Sequence, residues 1–110
     1  MVSKPNDVSG DALLAALSAL SNPHRLRVIA VLADGRQYVS QLAREMSMSR
    51  PLLTVHLRKL EAAGLVNGSL ELSEDGKAMK FYELAEFEFV LTPQTVAEAA
   101  KTLSSGGHDD

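Results

Sequence analysis

Between Val39 and Gly64 two helical apolar stripes are separated by only three residues, and no other stretch restricts the fold as tightly. Val39, Leu42, Ala43 and Met46 share one side of a brief helix running from Ser40 to Met46. Ser47-Met48-Ser49 makes a short turn, and Leu53, Leu57 and Leu60 then repeat at i, i+4 and i+7 along a longer helix over about Ser49–Ala63. Ser49 suits the N-cap, Pro51 falls in the first turn, and Gly64 stops the run.

The flanks add helices on both sides and a hairpin. Leu13, Leu14, Leu17 and Leu20 predict a helix capped by Asp11, and Ser21-Asn22 ends it before Pro23 opens another. That second helix runs to about Leu32 with a stripe of Leu26, Ile29, Ala30 and Leu32, and Asp34-Gly35 closes it. Beyond Gly64 the period shortens towards alternation, with Leu70 and Leu72 before Asp75-Gly76 and Met79 and Phe81 after it, which signals a β-hairpin. Thr92-Pro93 restarts a helix whose stripe is Val96, Ala99, Ala100 and Leu103. The expectation is a mainly α domain over residues 11–104 with the order α-α-α-α-β-β-α, a flexible arm at 1–10 and a disordered polar tail at 105–110. A short helix, a tight turn, a longer helix and a hairpin make a winged helix-turn-helix.

Composition narrows the function. With 110 residues and 45% hydrophobic content one soluble domain is expected, and its modest core favours extra burial by dimerisation. No apolar run is long enough for a membrane helix and the N-terminus lacks a secretory core, so a cytoplasmic protein without membrane contact is expected. The chain has no cysteine, which excludes disulfides, thiolate metal sites and a cysteine nucleophile. No glycine-rich phosphate loop or Ser/His/Asp set is present, and Glu83, Glu86 and Glu88 alternate as a solvent face, so an enzyme is not expected. The formal charge of −3 hides a strong asymmetry. From His24 to Lys59 there are seven Arg and Lys against Asp34 and Glu45, a net +5, whereas residues 60–110 carry ten carboxylates against three lysines. One basic face suits a polyanion.

The start of the longer helix is chemically suited to the major groove. Short hydroxyls at Ser47, Ser49 and Thr54 allow close approach, Arg50 has the fork for guanine, and the helix dipole aims its positive end at phosphates. The segments LSNPHRLRVIAVLADG, VSQLAREMSMSRPLLTVHLRKLEAAGLV and EDGKAMKFYEL together resemble the ArsR-type winged-helix regulators of bacteria and archaea. The resemblance runs from Leu20 to Leu84. It implies a sequence-specific transcription regulator, a homodimer joined through its first and last helices, bound to double-stranded DNA at a short inverted-repeat operator. Carried over by position, Ser49, Arg50, Pro51, Thr54 and His56 face DNA, with Arg58 on the same polar side. Arg44 and Lys59 then meet phosphates, and Lys77 and Lys80 follow the backbone from the wing. The stripes Leu13, Leu14, Leu17 and Val96, Ala99, Ala100, Leu103 exceed what one core needs, which agrees with a two-fold interface.

Departures from the family pattern remove its usual inputs. Metal-sensing members carry Cys-Val-Cys where this chain has Tyr38-Val39-Ser40, and the last helix holds only Glu98 where others have Asp and His pairs. Three inputs stay open: a nickel or zinc site made from His, Asp or Glu, with His108-Asp109-Asp110 as candidate donors; a second protein that senses; or no effector. The competing reading is a winged-helix module that contacts proteins and never reads DNA.

Overall fold

The computed structural model describes residues 8–104, which form five helices and three strands. In chain order these are α1 (Gly10–Leu20), α2 (Pro23–Leu32), β1 (Gln37–Tyr38), α3 (Val39–Met46), α4 (Arg50–Ala62), β2 (Val66–Leu72), β3 (Ala78–Leu84) and α5 (Pro93–Ala100). The expected helix-turn-helix and wing are present, with one addition. Gln37 pairs with Tyr82 and Tyr38 with Phe81, so β1 widens the hairpin into an antiparallel sheet of order β1-β3-β2. Two residues are too few to leave a periodic signal.

The helix starts follow local hydrogen bonding. Ser9, not Asp11, caps α1: its hydroxyl accepts the Ala12 N–H at 3.0 Å. Asp11 instead accepts the Ser104 N–H at 3.1 Å, while the Gly10 N–H donates to the Thr102 hydroxyl at 2.7 Å. Gly10 is buried, and a Cβ there would lie 2.3 Å from the Ala99 carbonyl oxygen, so the close α1–α5 approach depends on the missing side chain. Ordered structure therefore includes Gly10, which the sequence pattern had assigned to the arm. Residues 1–7 and 105–110 of the expected arm and tail lie outside the described residues. Asn22 opens α2, its side-chain oxygen accepting the His24 and Arg25 N–H groups at 2.8 and 3.1 Å.

The core lies where α1 to α4 meet the base of the sheet. Leu42, Leu53, Leu57, Leu60, Leu65, Val28 and Val66 are completely buried. Burying a leucine contributes about 1.5–3 kcal/mol, so the three leucines on α4 fix that helix's rotation firmly. Two expected stripes are corrected. In α2 Val28 and Leu32 are buried and Ile29 and Val31 pack partly against the core, while Leu26 and Ala30 are exposed. In α1 the inward side is Leu13, Ala16 and Ala19, which leaves Leu14 and Leu17 outside. Counting leucines alone had drawn the stripe off its true axis, because small alanines were the residues admitted to the close helix crossing.

Candidate nucleic-acid interface

The turn that presents α4 is built by two serines. Ser47 ends α3 with φ 53°, a left-handed conformation that lets the Met48 N–H reach the Ala43 carbonyl at 3.0 Å. Ser49 caps α4, its hydroxyl accepting the Leu52 N–H at 3.3 Å, and Pro51 fills the first turn. Both serines are exposed, as are Arg44, Arg50, Pro51, Arg58 and Lys59.

The buried Leu53, Leu57 and Leu60 define which side of α4 projects. At 100° per residue the point opposite them is Val55, with Pro51, Leu52, Arg58, Lys59 and Ala62 around it. Val55 is 62% exposed and Leu52 50%. The sequence reading assigns neither to a face; the available signal is their phase, off the Leu53-Leu57-Leu60 line. The polar stripe Arg50, Thr54, Arg58 and Glu61 sits to one side, facing the wing. With Val39, Lys80 and Tyr82 it lines a hollow of about 300 Å³. Lys80 rests 5.5 Å above the Tyr82 ring, and the Tyr82 hydroxyl lies 3.5 Å from the Glu61 carboxylate. Burial and Glu61 push the Tyr82 phenol above its ordinary range, keeping it protonated.

Among the described residues only two ion pairs form, Arg36–Glu71 and Glu98–Lys101. Of the eight Arg and Lys side chains there without a carboxylate partner, Arg44, Arg50, Arg58, Lys59, Lys77 and Lys80 lie on α3, α4 or the wing, and Arg25 and Arg27 on α2. The Lys77 N–H bonds the Ser73 hydroxyl in the wing turn. That hydroxyl donates to Asp75 and holds its carboxyl below the usual range, so the tip carries Glu74 and Asp75 beside Lys77. The outer part of the wing is braced by Glu71, which accepts from both Arg36 NH groups at 3.1 and 3.3 Å and from the Tyr38 hydroxyl at 2.9 Å. Arg36 also covers the Phe81 ring at 4.0 Å. The bond to Glu71 raises the Tyr38 phenol.

His56 departs from the DNA-facing role. It is only 8% exposed and turns towards α2, where its Nδ1 lies 3.1 Å from an Arg25 guanidinium nitrogen. Arg25 is always protonated and can only donate, so Nδ1 is the acceptor and the ring proton belongs on Nε2. The Arg25 Nε also donates to the Ala19 carbonyl at 2.6 Å. Burial first, then Arg25 and His24, whose ring is 5.6 Å away, lower the His56 pKa.

Of the residues expected at a two-fold interface, Leu14, Leu17, Val96, Ala100 and Leu103 are exposed on α1, α5 and just beyond. Leu13 and Ala99 are buried within the protomer, where α1 packs on α5, and have little surface left for a partner. No three His, Asp or Glu side chains converge as metal donors among the described residues, and His108, Asp109 and Asp110 lie outside them. No helix there is long and apolar enough to cross a membrane.

Comparisons with known proteins bear on the same segments. The family model described as bacterial regulatory protein, arsR family, matches residues 22–68. An uncharacterized HTH-type transcriptional regulator of Methanocaldococcus jannaschii is 38% identical over 78 residues, covering 71% of this chain and 81% of the relative. The nodulation protein NolR of Rhizobium meliloti is also 38% identical, over 65 residues that cover 57% of this chain and 53% of that protein. Among solved structures, reduced HlyU from Vibrio cholerae superposes with a TM-score of 0.59 at 25% identity, covering 83% of this chain and 84% of the other. A Mycobacterium bovis winged helix-turn-helix DNA-binding domain, described as homodimeric, gives a TM-score of 0.62 at 23% identity, covering 83% and 74%, which shows the shared fold.

Proposed function

The chain belongs to the arsR family of bacterial regulatory proteins, winged-helix transcription regulators that bind DNA, and we propose that it acts as a homodimer on a short inverted-repeat operator. The observation that carries this is the set of six unpaired cations around α4 and the wing, in a chain whose total charge is −3. Free guanidinium and ammonium groups concentrated on the helix-turn-helix and wing of an acidic protein are suited to phosphates.

In this reading α4 enters the major groove, with Ser47, Ser49, Arg50 and Pro51 at its leading end. Arg44 and Lys59 contact flanking phosphates. The hollow between Arg50, Thr54, Arg58 and Lys80 takes the backbone that passes between helix and wing, and Lys77 reaches the next phosphate. Leu14, Leu17, Val96, Ala100 and Leu103 form the two-fold contact, an arrangement favoured by their exposure and by the M. bovis domain described as homodimeric. Tyr38 takes the place of a thiolate donor and uses its hydroxyl to brace the wing, so thiolate metal sensing has no chemistry here.

The test is a titration of the full-length protein against the DNA upstream of its own gene at two salt concentrations. One dimer per inverted repeat is expected, with affinity falling as roughly the fifth power of salt if ~6 phosphates are neutralised. A flat salt response, or equal affinity for random duplex, would overturn the proposal.

A further inference from the structure

We infer that Leu52 and Val55 read thymine 5-methyl groups, making α4 selective for a thymine at one fixed position in each half-site. This rests on the DNA-binding reading and adds what the helix distinguishes once it is in the groove. The argument begins with rotation. The buried leucines place Val55 at the outermost point of α4 and Leu52 beside it, so these two side chains enter a groove further than Thr54, which is half-buried towards the wing. Both are among the large apolar residues most open to solvent on the helices, at 62% and 50%. Exposed apolar area of this kind marks a contact surface when it is contiguous.

The surrounding charge identifies the occupant. Arg58 and Lys59, at i+3 and i+4 from Val55, flank the apolar pair and lack carboxylate partners among the described residues, which repels a basic partner and selects a polyanion. A polyanion that also offers an apolar group at the depth of a helix is B-form DNA, whose major groove displays the thymine methyl among donors and acceptors. A-form RNA fails on both counts, because its major groove is too narrow for side chains to read and uracil has no methyl. Val55 has a stiff χ1 and so loses little freedom on contact.

The test starts with the full-length protein selecting duplexes from a randomised pool. Each thymine of the selected site is then replaced by deoxyuridine, which deletes the methyl alone, and affinities are measured at one fixed salt concentration. The wild type should weaken about fourfold at one thymine per half-site, the worth of one buried methyl-sized group, and about sixteenfold when both half-sites are altered. Val55→Ala or Leu52→Ala should lose that sensitivity while keeping the wild-type salt slope and melting temperature, since both side chains project from the surface. A selected site without thymine, indifference to deoxyuridine at every position, or a penalty undiminished in both variants would overturn the inference with DNA binding intact. Failure to bind any duplex would remove the DNA-binding reading itself, and this inference with it.

Discussion

Gly68 offers a sharp test of how the wing is seated. It faces Tyr82 across the β2–β3 ladder, and a Cβ added there would lie 2.7 and 2.9 Å from two ring carbons of Tyr82 and 2.9 Å from the Lys80 Cε. The lysine can swing aside. Tyr82 cannot, because it is only 4% exposed and belongs to the core cluster with Leu57 and Leu60 of α4. Overpacking of this kind costs about 1–3 kcal/mol, while replacing glycine by alanine stiffens the unfolded chain and returns about 0.4–1 kcal/mol. Gly68→Ala should therefore lose about 1–2 kcal/mol. For a domain of this size that lowers Tm by roughly 5–15 °C, measured by circular dichroism at one fixed protein concentration because a dimer's melting depends on it. In a Tyr82→Leu background the penalty should largely disappear. A Gly68→Ala protein as stable as the wild type, or a penalty that adds unchanged to Tyr82→Leu, would refute the packing argument.

Two other outcomes follow from the same geometry. The folded state disfavours protonated His56, so the unfolded chain binds the extra proton; the resulting stability is complete above pH 6.5 and falls as pH drops through the lower folded-state value. Urea unfolding between pH 8 and 5 should show this slope in the wild type and lose it in His56→Gln; an equal slope in both would contradict the burial of His56. Leu14→Glu combined with Leu17→Glu places charge on side chains that one protomer leaves exposed, so the fold should survive, whereas burying two carboxylates at a two-fold contact should not be tolerated. Sedimentation velocity at about 10 µM should show a monomer with weakened operator binding, and a persistent dimer would move the interface elsewhere.

The sequence made α3, the turn and α4 legible because each signal there was local and mutually consistent. Apolar spacing, the Ser49 cap, Pro51 and Gly64 all specify the same helix, and its bounds of Arg50–Ala62 fall within a residue of expectation at either end. What it hid was orientation. In α1 an unbroken supply of leucines masked that Ala16 and Ala19 go inward, which shows up only when a second helix is set against them. On α4 the inward stripe and the polar face were both legible, while Leu52 and Val55, apolar but off the inward stripe, fitted neither pattern and were left unassigned. His56 differs in kind: the resemblance carries it over by position to the DNA side, and only Arg25, thirty-one positions away, supplies the partner that turns it inward. β1 was invisible because its two residues acquire meaning only from β3.

His56 and Arg25 also bear on how the proposed dimer would hold its two reading helices apart. A dimer on an inverted repeat must keep its α4 helices one helical turn of DNA apart, about 34–36 Å, and any slack between contact face and reading face blurs that spacing. Here the path is short. Arg25 bonds the Ala19 carbonyl near the end of α1 and His56 in the middle of α4, so the helix that carries Leu14 and Leu17 is tied to the proposed reading helix by one side chain. Ala16 and Ala19 keep the two helices in the same core cluster as Leu57 and Leu60. A carboxylate in place of His56 would have made a stronger ion pair with Arg25, but it would have placed a second charge in a site that excludes most water. A neutral imidazole accepting from the guanidinium satisfies both groups while burying no carboxylate. This is why a histidine can stand on the inner side of α4, turned away from the face proposed to meet DNA.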